Sequence, residues 1–252
     1  MTRPSRILAV DAGNSRVKWA LHEGESFVSE GWCAHDELEG LEARWATLDS
    51  PDSVVIANVA GEAIGAYLGR CCKRWSLAPS WARARQAQCG VTNSYDDPAQ
   101  LGPDRWAALI GAHSLQSGNC VVVCMGTATT IDALTGTGTF LGGMILPGID
   151  MMHSSLATRT ARLGPERGEV VAFPHSTKDA ITTGAIRATC SAISHMVEEM
   201  RIAGYENTVI VSTGGAASAL SSVCKHAIVL SEKLVLRGLV CIGEAAGRES
   251  LS

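Results

Sequence analysis

The stretch AVDAGNSRVKWAL, residues 9–21, decides how the fold begins. An apolar run ends at Asp11, the chain turns on small and polar residues, and an alternating run follows. A β-hairpin is the simplest interpretation, because Asp, Gly, Asn and Ser are common turn residues. The alternative is a phosphate-binding turn, in which Asp11 organises Mg²⁺ and the backbone N–H groups of residues 13–16 face phosphate oxygens. The motif by itself leaves both interpretations open.

The composition favours a folded protein with a sizeable core. The chain has 252 residues, of which 46% are hydrophobic and 18% charged, and its net charge is −4. Length predicts one large domain or two domains of about 115 to 135 residues. The charge balance predicts neither a nucleic-acid nor a membrane partner, and no apolar run reaches the length of a membrane span. The nine cysteines contain no C-x-x-C pair, which favours buried thiols in a reducing cytoplasm.

The first half of the chain has the pattern of an α/β layer. Short apolar or alternating segments separated by turn residues indicate strands, and apolar residues at helical spacing indicate helices. The predicted order is therefore β-β-β-α-β-α, which is typical of a layered α/β domain. The predicted strands cover 7–10, 17–21, 27–33 and 53–60, and the predicted helices cover 36–48 and a stretch ending near residue 75.

A second segment, CVVVCMGTATTIDAL from Cys120, repeats the pattern of the first. A constant offset of 113 residues brings Val10 onto Val123, Gly13 onto Gly126, Ala20 onto Ala133 and Leu21 onto Leu134. We therefore predict two domains, 1–116 and 117–252, each with a glycine turn after its first strand. The further predicted strands of the second half cover 139–146, 208–212 and 226–230, and its helices cover 148–162, 178–202, 215–223 and 233–249.

Three other segments have both a structural and a functional interpretation. Residues 85–103 contain no clear periodicity, and an irregular stretch of that length in a compact domain is often functional. In LGPDRWAALIGA, residues 101–112, Asp104 either complements the dipole of a helix that begins at Pro103 or serves as a general base. In TGGAASAL, residues 213–220, the glycines either cap a helix or leave room for an adenine ring.

Taken together and in order, these motifs resemble the type III pantothenate kinase family, which includes the Bvg accessory factor proteins. The matching segments are DAGNSRVKW, GPDRWAALIGA, GTATTID, GGMILPGIDMMHSSLATRTARL, STKDAITTGA, TGGAA and LVLRGL. The resemblance implies two duplicated ribonuclease H-like domains of the acetate and sugar kinase/Hsp70/actin fold, with the active site in the interdomain cleft. It also implies phosphorylation of pantothenate by ATP to 4′-phosphopantothenate, the first step of coenzyme A synthesis.

The resemblance further implies a role for each residue that matches a family motif. Asp104 takes the place of the catalytic base, and Asp11 is the expected Mg²⁺ residue. The implied ATP-binding residues are Asp11, Ala12, Gly13, Asn14, Ser15, Arg16, Val17, Lys18 and Thr127. The implied pantothenate-binding residues are Tyr95, Gly102, Pro103, Asp104, Arg105 and Thr177.

The sequence departs from the family pattern at two positions. The family usually has an Asp that holds K⁺ or NH₄⁺ where this chain has Cys124, and a thiol is a poor ligand for these ions. An acidic residue often follows the two glycines where this chain has Ala216. The expected cofactors are thus ATP and Mg²⁺, with the monovalent cation in question.

The resemblance also predicts a cytoplasmic homodimer, with an apolar interface supplied by GPDRWAALIGA and the helix at 148–162. Two alternative functions stay open at this point. One is a non-catalytic accessory or regulatory protein of the same fold, and the other is a kinase for a different small hydroxyl substrate.

Overall fold

The computed structural model describes residues 4–160, 164, 166–215 and 226–249. The chain forms two compact units, the first comprising residues 1–116 and 233–252, and the second comprising residues 117–232. No helix among the described residues is long and apolar enough to cross a membrane.

The sheet of the first unit has β1 near its centre. Its strands are β1 (Arg6–Ala12), β2 (Arg16–Glu23), β3 (Ser26–Ala34), β4 (Ser53–Asn58) and β5 (Ser80–Trp81). Their order is β3-β2-β1-β4-β5, in which β1, β2 and β3 are antiparallel neighbours and β4 and β5 run parallel to β1. Leu8, Ala9 and Val10 are fully buried because helices cover both faces of the sheet, which explains the unbroken apolar run of β1.

The predicted helix over 36–48 is interrupted. Residues His35–Gly40 form a 3₁₀ helix, and the α-helix α1 covers only Leu41–Ala46. Gly40 separates the two, as expected from the low helix propensity of glycine. Leu41 and Trp45 still face the core, so the periodicity identified the buried residues correctly but not the length of the helix. Helix α2 (Glu62–Cys72) continues as a 3₁₀ turn to Trp75, as the sequence predicted.

The stretch predicted to be irregular, residues 85–103, contains regular structure. It forms a small antiparallel hairpin of β6 (Ala87–Gln88) and β7 (Val91–Asn93), followed by a 3₁₀ turn at Pro98–Gln100. Residues 89 and 90 both have positive φ, a conformation that turns the strand sharply. The hairpin leads into helix α3 (Pro103–Leu115).

The second unit repeats the strand order of the first. Its strands are β8 (Cys120–Met125), β9 (Ala128–Leu134), β10 (Thr139–Pro147), β11 (Val209–Thr213) and β12 (Ile228–Leu230). They run in the order β10-β9-β8-β11-β12, with β8, β9 and β10 antiparallel and β11 and β12 parallel to β8. Helices α4 (Ile149–Arg159) and α5 (Thr177–Ile202) follow β10, and α5 packs on Val121, Val123 and Ile131. The helix predicted at 215–223 lies almost entirely outside the described residues.

The two copies differ by one residue at the turn. Asp11 pairs with Lys18 around a three-residue turn, whereas Cys124 pairs with Thr130 around a two-residue turn. The constant offset of 113 therefore holds for the first strand and its glycine but slips by one residue in the second strand. The sequence identities at Ala20 and Leu21 are consequently not structurally equivalent, although the strand order supports the repeat itself.

The last helix, α6 (Leu234–Glu249), belongs to the first unit, so its predicted placement in the domain 117–252 is wrong. It packs on α3 through glycines, because a side chain at Gly238 would overlap the carbonyl oxygen of Ala107 and one at Gly111 would overlap that of Leu234. Backbone contact this close cannot be recognised from local periodicity. Residues 105–112 of α3 are buried in the folded chain, so this stretch does not offer the apolar dimer interface that the sequence suggested.

A methyl group at the contact of α3 and α6 should destabilise the protein. We expect Gly238→Ala to lower the free energy of unfolding by about 2 kcal/mol or more, since the added carbon meets backbone. The matched control is Gly247→Ala in the same helix, where nothing lies within 4 Å. That change should stabilise the protein by about 0.5–1 kcal/mol through helix propensity. Urea unfolding measures both, and equal stability of the two variants would contradict the close packing.

Candidate active site

The first hairpin places a carboxylate and an ammonium group opposite each other. Asp11 on β1 pairs directly with Lys18 on β2, next to the turn at residues 13–15. Ala12 and Val17 are fully buried and pair with each other in the sheet, so of the predicted ATP-binding residues these two present no exposed group to a ligand. The N–H of Gly13 donates to the carbonyl of Arg16 at 3.0 Å. This donor closes the turn, and the expectation that it faces phosphate is therefore corrected.

Packing within the chain leaves room for a side chain at Gly13. A side-chain carbon on Gly13 would meet only the carbonyl oxygen of Arg16, at an ordinary 3.5 Å. The missing side chain therefore leaves room on the outer side of the turn, where a phosphate group can approach the backbone. The carbonyl oxygen of Gly13 lies 2.9 Å from Nε2 of His35, which donates to it. Arg16 stacks over the exposed ring of Trp32, with its guanidinium carbon 4.5 Å from the ring centre.

The ionised carboxylate of Asp11 is disfavoured by its surroundings. The pKa of its carboxyl is raised to about 6, mainly because the group is shielded from water; Lys18 lowers the pKa, and the negative charge of Asp104 adds a smaller rise. Near neutral pH the group is ionised at a cost in free energy, which a bound cation would relieve. The electrostatic interaction with Asp11 shows that Asp104 of α3 lies in the neighbourhood of the hairpin.

The start of α3 holds Asp104 against a glycine. Gly102 is the N-cap of the helix and Pro103 its first residue. A side-chain carbon on Gly102 would lie 2.6 Å from Oδ1 of Asp104. The carboxylate therefore lies over the cap, and a side chain at residue 102 would require the Asp104 carboxylate to move.

Arg105 and Tyr95 form a second pair beside Asp104. Arg105 is only 6% exposed and donates from Nη1 to the hydroxyl oxygen of Tyr95 at 3.2 Å. Sequence reasoning missed Asn93, which is 1% exposed and whose Oδ1 accepts from the backbone N–H of Tyr95 at 3.0 Å. Its Nδ2 donates to the carbonyl of Pro98 at 3.4 Å. Asn93 thus shapes the loop that carries Tyr95, and its place in a turn-rich segment was the only sequence signal.

The second hairpin is held from two sides by glycines. The N–H of Gly126 donates to the carbonyl of Ala128 at 3.0 Å, and Thr127 is exposed in the turn. The N–H of Gly148, at the end of β10, donates to the carbonyl of Thr127 at 2.9 Å. Gly214 has φ +104°, and a side chain there would overlap the carbonyl of Met125. Ala216, the second departure from the family pattern, lies outside the described residues.

Three buried hydroxyl groups near the second hairpin have no hydrogen-bond partner among the described residues. They belong to Thr129 and Thr130 of the GTATT motif and to Ser212 at the end of β11. Buried polar groups are normally paired, and exceptions often mark a place where water or a ligand binds. Cys124 lies in one row with Thr130 and Thr213, at the position where the family usually has a carboxylate.

Thr177 is exposed at the first position of α5. The helix starts with a capping arrangement, in which the hydroxyl of Ser176 accepts from the N–H of Asp179 at 3.2 Å and donates to its carboxylate at 2.6 Å. These hydrogen bonds lower the pKa of Asp179 below its usual value. The second unit contains Thr127, Thr177 and the capping residues Ser176 and Asp179. The first unit contains the other predicted site residues, namely Asp11, Lys18, Tyr95, Asp104 and Arg105.

Comparison with known proteins identifies the family of this chain. The family model for type III pantothenate kinase matches residues 7–199. The chain belongs to the type III pantothenate kinase family. A family member from Nitrosospira multiformis is 42% identical over 94% of this chain and 90% of its own length. Another from an Azoarcus species is 43% identical over 97% of this chain and 93% of its own length.

Solved structures agree on the fold of this pantothenate kinase family member. A Baf family transcriptional activator from Campylobacter jejuni is similar with a TM-score of 0.64 at 23% identity, covering 96% of this chain and 99% of that one. MreB5 of Spiroplasma citri bound to ADP is similar with a TM-score of 0.54 at 10% identity, covering 98% and 99%. The predicted acetate and sugar kinase/Hsp70/actin fold is confirmed.

The raised pKa of the Asp11 carboxyl predicts how the stability of the protein changes with pH. Without metal, Asp11→Asn should raise the free energy of unfolding at pH 8 by about 1–3 kcal/mol, because the folded state disfavours the ionised carboxyl. The gain should shrink as the pH falls through 6 and vanish below about 4, where the carboxyl is protonated in the folded and unfolded chains alike. Urea unfolding in EDTA at several pH values measures it.

The exposed carboxylate of Asp36 provides the control. Asp36→Asn should change stability by no more than about 0.5 kcal/mol at any of these pH values. An Asp11→Asn variant that is less stable than the unmodified protein at pH 8 would show that Asp11 has a structural role.

Proposed function

We propose that this chain transfers the γ-phosphoryl group of ATP to the primary hydroxyl of pantothenate, forming 4′-phosphopantothenate in the first step of coenzyme A synthesis. Family membership supports the reaction. The observation that carries the proposal for this chain is the placement of Asp104, next to the buried Arg105–Tyr95 pair and within electrostatic reach of the Asp11–Lys18 hairpin. Phosphoryl transfer requires such a combination of a proton acceptor, an anion-binding group and a phosphate-binding turn.

Pantothenate binding is assigned to the residues around the start of α3. Arg105 presents a rigid guanidinium, held by Tyr95, that suits a carboxylate. Gly102 and Pro103 set the backbone that carries Asp104, and Thr177 contributes from the second unit. These assignments make the loop ordered by Asn93 part of the substrate site.

ATP binding is assigned to the two hairpins. Within the hairpin of residues 11–18, the exposed turn residues Asn14 and Ser15 would provide backbone N–H groups and Lys18 its ammonium group, and Thr127 would provide a hydroxyl in the second turn. Gly13 and Gly126 both leave their outer side open, since added side-chain carbons would meet nothing closer than 3.5 Å. This common feature supports a phosphate-binding role for both turns.

The residues present fit a magnesium ion. Asp11 is a partly buried oxygen ligand whose raised pKa favours a cationic neighbour, and Mg²⁺ prefers carboxylate, phosphate and water oxygens. The described residues contain no cluster of three or more His, Cys, Asp or Glu that could form a complete metal site. Asp11 would therefore hold Mg²⁺ together with water and the phosphates of ATP, as is usual in kinases. Bound Mg²⁺ neutralises charge on the transferred phosphoryl group.

In this mechanism the chain positions the reactants and accepts one proton. The hydroxyl oxygen of pantothenate attacks the γ-phosphorus, the bond from that phosphorus to the β,γ-bridging oxygen breaks, and ADP leaves with the bonding electrons. The hydroxyl proton passes to the carboxylate of Asp104, while Arg105 holds the acceptor and Lys18 offsets phosphate charge. Positioning supplies much of the rate in such reactions.

Removing the proton acceptor tests the reaction. Asp104→Asn should lower kcat by roughly 10²- to 10⁴-fold, the range for loss of a general base, with little change in thermal stability. The measurement is ADP release coupled to NADH oxidation, with and without pantothenate. Glu62→Gln is the matched control, because it also removes a negative charge from the first turn of a helix.

Two results would contradict this proposal. Near-normal turnover by Asp104→Asn would remove Asp104 from the mechanism. ADP release by the unmodified protein that does not depend on pantothenate would favour a kinase for a different substrate.

We propose that the monovalent-cation site is lost at Cys124. A thiol is soft and mostly protonated at neutral pH at its usual pKa, so it does not replace a carboxylate ligand. The nearest carboxylate along the strands, Asp132, is fully buried and pairs with Val122, two residues before Cys124. The enzyme should therefore work without K⁺ or NH₄⁺.

Turnover at constant ionic strength tests the cation requirement. Rates with K⁺, NH₄⁺ or tetramethylammonium as the sole monovalent cation should agree within about twofold. Cys124→Asp should restore dependence on K⁺, and Cys124→Ser serves as the uncharged control. Activation of the unmodified enzyme by K⁺ of about tenfold, equivalent to about 1.4 kcal/mol, would show that another group holds the cation.

We further propose that the protein lies in the cytoplasm and forms a homodimer. Burial raises the pKa of the thiols of Cys33, Cys71 and Cys72, the last to about 12, and such protonated thiols are consistent with the cytoplasm. A homodimer would have to use surfaces other than α3, and α4 offers Met151 and Leu156, which are 42% and 38% exposed.

A further inference from the structure

The two phosphate-binding hairpins are held by different hydrogen bonds at equivalent places. In the first unit, the last pair of residues joining the second and third strands is Arg16 with Ala34. In the second unit it is Ala128 with Pro147. The next residues along the chain, His35 and Gly148, therefore occupy corresponding positions in the repeat.

Both of these residues donate to a carbonyl of the neighbouring turn. Gly148 uses its backbone N–H, which lies 2.9 Å from the carbonyl oxygen of Thr127. His35 uses its side chain, with Nε2 2.9 Å from the carbonyl oxygen of Gly13. The repeat thus keeps a donor at this place, but the donating group differs and so does the acceptor, since Gly13 corresponds to Gly126 and not to Thr127.

The bond from His35 controls the direction of a neighbouring N–H. The carbonyl of Gly13 and the N–H of Asn14 belong to one planar peptide group and point in opposite directions. Holding the carbonyl towards His35 therefore turns the N–H of Asn14 to the other side of the turn. The N–H of Gly13 already donates to the carbonyl of Arg16 and is not directed at a ligand. The direction of the Asn14 N–H therefore matters for an anion that approaches the turn.

We propose that His35 is a positioning residue for the nucleotide, which orients the Asn14 peptide group towards the phosphates through its hydrogen bond to Gly13. This inference rests on the proposed binding of ATP at the first hairpin. The imidazole can donate from Nε2 as the cation and as one neutral tautomer, so the bond does not require a charged ring. His35 itself does not touch the reacting atoms.

The test compares His35→Ala with His35→Gln. Loss of one hydrogen bond should raise the KM for ATP, and the Kd for ATP measured by calorimetry without pantothenate, by about three- to tenfold. The KM for pantothenate should stay within about twofold, because the contact acts on the nucleotide turn alone. His35→Gln places an amide donor at a similar distance from the backbone and should recover most of the ATP affinity.

His195→Ala is the control, since this histidine is exposed on α5 in the second unit. Unchanged ATP affinity in His35→Ala would overturn the proposal, and so would an equal loss in the Ala and Gln variants or an equal rise in both KM values. The calorimetric Kd separates this inference from the proposed reaction. Weakened ATP binding in His35→Ala supports the role of His35 even if pantothenate proves not to be the acceptor.

Discussion

The partly buried carboxylate of Asp11 is the constraint on which the site depends. It lies at the end of a strand that is covered on both faces, and its ionised form is disfavoured there, with a pKa near 6. Lys18, directly across the hairpin, offsets part of this cost, and Asp104 adds to it. Sites that bind cationic or phosphate-bearing ligands often destabilise the protein when no ligand is bound. Ligand binding then removes the unfavourable electrostatic interaction.

The internal repeat shows how one architecture has been adapted to two tasks. Both units have the strand order 3-2-1-4-5 with a glycine turn after the first strand. Only the first unit keeps a carboxylate at the strand end, and the second has Cys124 there. The second turn is also one residue shorter and is packed against Gly148 and Gly214. The first hairpin thus concentrates charge, whereas the second offers backbone and hydroxyl groups at close range.

The substrate residues depend on side chains that do no chemistry. Asn93 is buried and organises the loop of Tyr95, and Tyr95 in turn holds Arg105. Gly102 admits the carboxylate of Asp104, and Gly238 lets α6 approach the backbone of α3. The position of the proposed proton acceptor is therefore set by packing between two helices that are more than a hundred residues apart in the chain.

Local sequence determined most of the secondary structure, the glycine turns, the repeat and the family, because strand alternation, helical spacing and turn residues act over a few neighbouring residues. Tertiary structure decided that Gly13 uses its N–H within the turn, that His35 and Asn93 support the site, and that α6 joins the first unit. It also showed that the identities at Ala20 and Leu21 are out of register. These features arise from hydrogen bonds and close contacts between distant segments, whose partners leave no periodic signal in the sequence.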